Sequence, residues 1–100
     1  MISIAQSVEG ISIRLTDERW AHITDEHREL TGLKLEILET IEKPEKVFQG
    51  NDGEHLAARP IGSGKWVVVV YREKGDDGFV ITAFLTRRTR SLEKRKQLWP

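Results

Sequence analysis

Features that define several classes of protein are missing from this chain of 100 residues. It has no cysteine and three prolines, and its longest uncharged apolar run, 66–71, is too short to span a bilayer. The lack of cysteine excludes a disulfide scaffold, a thiol nucleophile and a cysteine-ligated zinc or iron–sulfur site. The N-terminal residues lack the basic and apolar regions of a secretion signal, so we expect a cytoplasmic protein.

The length and composition predict one globular domain over residues 1–100. Hydrophobic residues make up 38% of the chain and charged residues 32%, which argues against a disordered or collagen-like chain. Sixteen basic and sixteen acidic residues give a formal net charge of zero. The halves differ: residues 1–50 hold six basic and ten acidic residues, whereas residues 51–100 hold ten basic and six acidic residues.

Positive charge is concentrated at the C-terminal end of the chain. Between Thr86 and Pro100, a single acidic residue, Glu93, faces six basic residues: Arg87, Arg88, Arg90, Lys94, Arg95 and Lys96. Such a segment can bind a polyanion such as RNA by releasing counterions. The alternative is a solvated C-terminal helix that lies against the acidic half of the chain.

Hydrophobic periodicity predicts helices in the first half of the chain and strands in the second. A short hairpin is predicted from 2–5 and 10–15, and helices are predicted over 17–30 and 33–42. Strands are predicted at 47–49, 55–61, 65–74 and 79–86, and a helix capped by Ser91 at the C-terminus. The segment 65–74 is apolar on both faces, which places it in the middle of the sheet.

The order of these elements predicts an α+β fold. Two N-terminal helices pack on one face of a four- to five-stranded antiparallel sheet, and a short C-terminal helix carries the basic tail. The other face of the sheet is left free, beside the basic segment.

Two histidines on the first predicted helix are candidates for acid–base chemistry, because histidine titrates near neutral pH. His22 and His27 are five residues apart, about 140° around the helix, so they point to different sides and do not form a metal-binding pair. Either one acts as a general acid or base, or His22 contacts helix acids and His27 lies at the margin of the core. His55, beside a turn, is a third candidate.

Polar side chains on the predicted strands are further candidates. Thr82 stands in an apolar strand, where its hydroxyl either contacts phosphate or bonds to the backbone. Arg59 either pairs with an acid or binds a phosphate. Tyr71 and Arg72 lie at the far end of the strand predicted over 65–74 and point to opposite faces.

Four segments of the chain resemble a known family. They are residues 15–27 (LTDERWAHITDEH), 37–44 (ILETIEKP), 66–71 (WVVVVY) and 79–84 (FVITAF). Together they are similar to a phage- and mobile-element-associated nuclease-like family of the barnase–EndoU–colicin–RelE superfamily. The resemblance covers roughly residues 11–86 and departs at Arg28, where we expect the family to favour proline.

The resemblance implies a toxin-like or phage-defence ribonuclease that needs no metal or other cofactor. The 2′-hydroxyl of RNA attacks the adjacent phosphorus, assisted by a base, an acid and a cation. The implied partners are RNA and a cognate inhibitor or antitoxin protein, with no membrane and no nucleotide cofactor. The implied catalytic residues are His22, His27, Thr82, Arg59 and Tyr71, and the substrate-binding residues are Arg72, Arg87 and Arg88.

Two other functions remain open on the same scaffold. One is a non-catalytic interaction protein, either a docking toxin or a subunit of a complex, and the other is an RNA-binding module that does not cleave. Catalysis requires a helix histidine within about 8 Å of Thr82, Tyr71 or Arg59 around an open cleft, since one phosphate with two hydrogen bonds spans that distance.

Overall fold

The computed structural model describes residues 1–100 and contains seven strands and three helices. The strands are β1 Ile2–Gln6, β2 Ser12–Thr16, β3 Lys46–Gln49, β4 His55–Gly62, β5 Lys65–Lys74, β6 Asp77–Thr86 and β7 Gln97–Trp99. The helices are α1 Asp17–Glu26, α2 Lys34–Glu42 and α3 Arg90–Glu93, and a 3₁₀ turn, Arg28–Leu30, follows α1. None of the helices is long and apolar enough to cross a membrane.

The strands form one seven-stranded mixed sheet in the order β1-β2-β6-β5-β4-β3-β7. Strand β5 lies at its centre, as predicted from its apolar residues. The pair β2–β6 is parallel, and all other neighbours are antiparallel. The predicted four- to five-stranded antiparallel sheet is therefore wrong. The N-terminal hairpin joins the main sheet through β6, and the C-terminal residues add β7 at the opposite edge.

The two N-terminal helices do not share one role. Helix α2 contacts β1, β4 and β5 and contributes Ile37 and Ile41 to the core, whereas α1 contacts β2 and β6. Arg19 of α1 donates a hydrogen bond from Nη1 to the carbonyl of Ile81 at 3.4 Å. Helix α1 has one fully buried side chain, Ile23, which joins the same core as Ile37 and Ile41 of α2. The predicted arrangement of two helices packed on a four- to five-stranded antiparallel sheet is wrong, because the sheet is mixed and has seven strands.

Each face of the sheet has its own apolar cluster. We call the side covered by α2 the first face; its core includes Val67, Val69 and Tyr71 of β5. On the second face, Val68 and Val70 of β5 cluster with other buried residues: Phe48, Leu56, Ala58 and Leu92. The sequence predicted that the second face is free. Because Leu92 belongs to α3, this face is instead partly covered by the C-terminal segment.

The C-terminal helix predicted to reach Trp99 ends much earlier. Helix α3 has four residues and no side-chain N-cap, so Ser91 does not cap it. The chain then extends, and Trp99 pairs with Val47 of β3. Leu98 and Trp99 pack against the first-face core, and this burial favours the strand over a solvated helix.

Candidate functional site

His22 lies on the outer side of α1, away from the sheet residues predicted to act with it. Its Nε2 is 2.5 Å from Oε1 of Glu26, one turn along the helix, and its side chain is 60% exposed. The hollow that it lines contains only α1 residues and Thr16, the N-cap of that helix. His22 therefore matches the alternative of an exposed histidine in contact with helix acids.

His27 lies at the other end of α1 and faces the sheet. It is the C-cap residue of the helix, and its amide donates to the carbonyl of Ile23 at 2.8 Å. The imidazole Nδ1 is 3.6 Å from Oε2 of Glu29, and the ring centroid is 6.5 Å from that of Phe84 on β6. The side chain is 33% exposed, so it combines contact with the sheet and access to solvent.

The predicted strand residues are distributed over both faces of the sheet. Tyr71 is completely buried in the first-face core, whereas Thr82 pairs with Val70, whose side chain belongs to the second face. Arg59 forms an ion pair with Glu39 of α2, with Nη1 3.2 Å from Oε2. No hollow of the protein is lined by a helix histidine together with Thr82, Tyr71 or Arg59.

Arg72 supports a turn. Its Nη1 donates to the carbonyl of Asp52 at 3.2 Å, in the turn before β4. In the same turn, the backbone amides of Glu54 and Asp52 lower the pKa of the Glu54 carboxyl, and the positive charges of Arg72 and Arg95 lower it further.

A hollow at the C-terminal end of β6 is lined by four basic side chains, none of which forms an ion pair. We call it the basic groove; its volume is about 730 Å³, and its lining residues are Arg87, Arg88, Thr89, Arg90, Ser91 and Lys94. No carboxylate lines this groove, and no residue after Asp77 takes part in a salt bridge. The basic tail is therefore not neutralised by the acidic half of the chain.

A smaller hollow adjoins the basic groove. We call it the edge pocket; it has a volume of about 220 Å³ and is lined by Glu29, Lys65, Leu85, Thr86 and Arg87. Arg87 lines both hollows and is held in place by a hydrogen bond from Nη1 to the carbonyl of Ser63. Through its contact with Glu29, His27 stands beside this pocket.

A second group of titratable side chains lies at the opposite end of β5. The imidazole Nε2 of His55 is 3.6 Å from Oε1 of Glu73 and 3.9 Å from Oε1 of Glu9. We call these three residues the Glu–His–Glu cluster; their possible ligand atoms all lie within 4.8 Å of one another. Ser7 donates from Oγ to the second oxygen of Glu73 at 2.6 Å, which fixes that carboxylate.

Tyr71 packs against this cluster, and no hollow brings it together with a helix histidine. Its ring stacks on His55, with centroids 5.1 Å apart and an interplanar angle of 17°. Its hydroxyl and the Nδ1 of His55 are both buried without a hydrogen-bond partner. Burial raises the pKa of Tyr71 well above its usual range, and the charges of Glu73 and Glu9 raise it further. The phenol therefore stays protonated and available as a donor.

The sequence pointed to His55 and Tyr71 separately but missed Glu9 and Glu73. A signal for two of the partners was present in the β4–β5 hairpin. Its register around the turn at 62–65 sets His55 opposite Tyr71, and Glu73 lies two residues further along on the same face. Glu9 carried no such signal, because contacts between distant segments, the β2–β6 pairing and the hydrogen bond from Ser7 to Glu73, bring its turn to the cluster.

In comparisons with known proteins, no family model, no curated protein and no solved structure matches the chain.

Proposed function

We propose that the protein binds single-stranded RNA in the basic groove. The observation that carries this proposal is the set of four cationic side chains, Arg87, Arg88, Arg90 and Lys94, that line one hollow with no carboxylate among them. Unpaired cations in a groove attract the phosphate backbone and release its counterions. Because guanidinium groups match phosphate geometry with two parallel hydrogen bonds, three arginines suit this ligand.

The surroundings of the groove favour a single strand over a duplex. Trp66, on the second face, is partly buried and lines a small hollow together with Thr89, which also lines the basic groove. Aromatic rings beside a positively charged groove are the usual platform for unpaired bases. Unpaired bases can stack on such a ring, whereas bases within a helix are already stacked.

The binding test compares two double variants with the same loss of charge. Arg90→Gln/Lys94→Gln removes two cations from the groove, and Lys43→Gln/Lys74→Gln removes two exposed cations that line no hollow. Four phosphate contacts predict a slope of about −2.8 for log K against log salt. The groove variant keeps two of these contacts, so its slope should be about −1.4. Binding of a labelled single strand is measured by fluorescence anisotropy between low and physiological salt. An equal effect of both variants would refute the groove as the binding site.

A second candidate function, cleavage of the bound RNA, is favoured by the edge pocket. Arg87 connects this pocket to the groove, Lys65 adds a second cation, and His27 stands beside it with Glu29. In this reaction, a base takes the proton of the 2′-hydroxyl, and the oxygen forms a bond to phosphorus as the bond to the 5′-oxygen breaks. An acid protonates the departing 5′-oxygen, and the products are a 2′,3′-cyclic phosphate and a 5′-hydroxyl. We assign the first proton transfer to the Glu29 carboxylate as base and the second to His27 as acid, while Lys65 and Arg87 stabilise the charge on phosphorus.

The cleavage test uses the two helix histidines as a matched pair. Purified protein is incubated with single-stranded RNA in EDTA, and the ends are analysed for cyclic phosphate. We expect His27→Ala to lower the rate at least about 100-fold, which is the usual contribution of one acid–base group, and His22→Ala to leave it unchanged. If the unmodified protein retards RNA without cleaving it, the protein has the binding function alone. If the unmodified protein neither retards nor cleaves RNA, both proposed functions are refuted, and the non-catalytic interaction protein remains.

A further inference from the structure

We propose that the Glu–His–Glu cluster is a binding site for a divalent transition-metal ion of the Zn²⁺ type, a property beyond the proposed RNA binding. The ligands are Nε2 of His55 and one carboxylate oxygen each from Glu73 and Glu9. They come from β4, β5 and the β1–β2 turn, so a bound ion joins three separate segments of the chain.

The distances in the cluster fit a metal site more closely than they fit hydrogen bonds. At 3.6 and 3.9 Å, the separations from His55 Nε2 to the two carboxylates are too long for hydrogen bonds. A tetrahedral ion with ligands near 2.1 Å requires ligand atoms about 3.4 Å apart. The two separations from Nε2 exceed this value by about 0.2 and 0.5 Å. The two carboxylate oxygens lie within 4.8 Å of each other. The mixture of imidazole and carboxylate favours Zn²⁺ over Mg²⁺ or Ca²⁺, which prefer oxygen ligands alone.

The surroundings of the cluster hold one of the ligands, the Glu73 carboxylate, in position. Glu73 is 12% exposed and His55 is 15% exposed, so both approach the site from the protein interior. Ser7 is itself buried, and its hydrogen bond to Oε2 of Glu73 leaves Oε1 free to face His55. Such second hydrogen bonds orient metal-binding carboxylates in known sites. Glu9, in the turn, is 54% exposed and gives an ion a path from solvent.

A separate observation indicates that the cluster holds a polar occupant. Tyr71 is completely buried, stacks on His55, and has a hydroxyl with no hydrogen-bond partner. Buried hydroxyls are almost always satisfied, and leaving one unpaired costs free energy. Three protein ligands leave the fourth position of a tetrahedral ion open for water. A water in that position is an acceptor for the hydroxyl of Tyr71.

The test is a titration of the full chain, freed of metal with a chelator, with Zn²⁺ by calorimetry and with Co²⁺ by visible absorption. We expect one equivalent to bind, with a tetrahedral Co²⁺ spectrum, and Mg²⁺ to give no heat. At 100 times the dissociation constant, Zn²⁺ raises Tm by more than about 10 °C. Glu9→Gln weakens binding at least about tenfold, as expected for loss of a ligand, and it keeps the fold because Glu9 is exposed.

The matched control is the other His–Glu pair on the surface. Glu26→Gln removes the carboxylate next to His22 and changes the charge by the same amount. Affinity for Zn²⁺ is unchanged in this variant if the ion binds at the cluster. Loss of binding in Glu26→Gln, retention in Glu9→Gln, or no one-equivalent binding of Zn²⁺ by the unmodified chain would each overturn the proposal. None of these measurements involves RNA, so they do not depend on the proposed function.

Discussion

Removing a single oxygen from Tyr71 should stabilise the metal-free protein. The side chain is completely buried in the first-face core, and its hydroxyl has no hydrogen-bond partner. The Tyr71→Phe substitution keeps the ring in place against His55 and removes only the unpaired group. Most substitutions in a protein core destabilise it, so a gain at this position would be informative.

The size of the effect follows from the cost of burying an unpaired polar group. That cost is about 1–3 kcal/mol, and substitution by phenylalanine removes it without leaving a cavity. We take the lower end, about 1 kcal/mol, because the site can relax slightly or admit water. For a domain of 100 residues, this gain raises Tm by about 4–8 °C.

The assay is urea unfolding and thermal unfolding of metal-free protein, followed by circular dichroism. The control is Val67→Thr on the same strand and the same buried face, which adds a hydroxyl where there was none. This control should lose about 1–3 kcal/mol, the reverse of the gain in Tyr71→Phe. A Tyr71→Phe protein that is less stable by more than about 1 kcal/mol would show that the hydroxyl has a partner and that the reasoning is wrong.

Three further predictions concern the core and the pairing of β2 with β6. Gly78→Ala should cost about 1–3 kcal/mol in urea unfolding, because the new Cβ would lie 2.5 Å from Cδ1 of Ile13 and 2.6 Å from the carbonyl oxygen of Arg72; an unchanged midpoint would contradict this contact. Ile37→Ala should cost about 2–5 kcal/mol, since it opens a cavity between α2 and the first face, whereas exposed Leu35→Ala should be nearly neutral. Hydrogen bonds from the Arg14 guanidinium and the Gly78 amide lower the pKa of Asp77 below its ordinary value of 3.8. The stabilisation from this ion pair is therefore present above about pH 4 and lost as pH falls through the lower folded pKa. In Asp77→Asn, the free energy of unfolding should therefore fall less steeply as pH is lowered below about 4.

Elements with local signals were predictable from the sequence. The first helix was expected to begin at residue 17, and it does: Oγ1 of Thr16, the preceding residue, accepts a hydrogen bond from the amide of Arg19 at 3.0 Å. Helix α2 ends at Glu42, two residues before Pro44, and strand β5 spans Lys65–Lys74 as the run of β-branched residues indicated. In these cases neighbouring residues in the chain determine the structure, so no knowledge of distant contacts was required.

The errors concern contacts between distant segments. The parallel pair β2–β6 joins Ser12 to Asp77, which are far apart in sequence. Because parallel strands are not connected by a tight turn, no turn sequence indicates that they pair. The last strand is only three residues long and is held by the edge of β3 and by burial of Trp99. In isolation, the preceding basic residues favour a helix, so tertiary contacts override the local preference.

The same distinction explains which site residues the sequence could indicate. A run of basic residues within the tail becomes one groove, because residues close in sequence stay close in space. The predicted catalytic set combined α1, β4, β5 and β6, so it depended on the faces and edges of elements whose packing was wrongly predicted. Of that set, His27 alone approaches the pocket shared with Arg87, through its contact with Glu29 and the proximity of its ring to Phe84 of β6.

The two candidate sites lie at opposite ends of the central strand. The edge pocket includes Lys65 at the start of β5, and the Glu–His–Glu cluster includes Glu73 near its end. Eight residues of extended strand separate them by about 27 Å, well beyond the screening length of about 8 Å at physiological salt. A metal ion at the cluster therefore contributes little to the attraction of RNA by the groove. If Zn²⁺ stabilises the fold without changing RNA affinity at fixed salt, the two sites are independent. A Zn²⁺-dependent increase in RNA affinity would require a conformational link through β5.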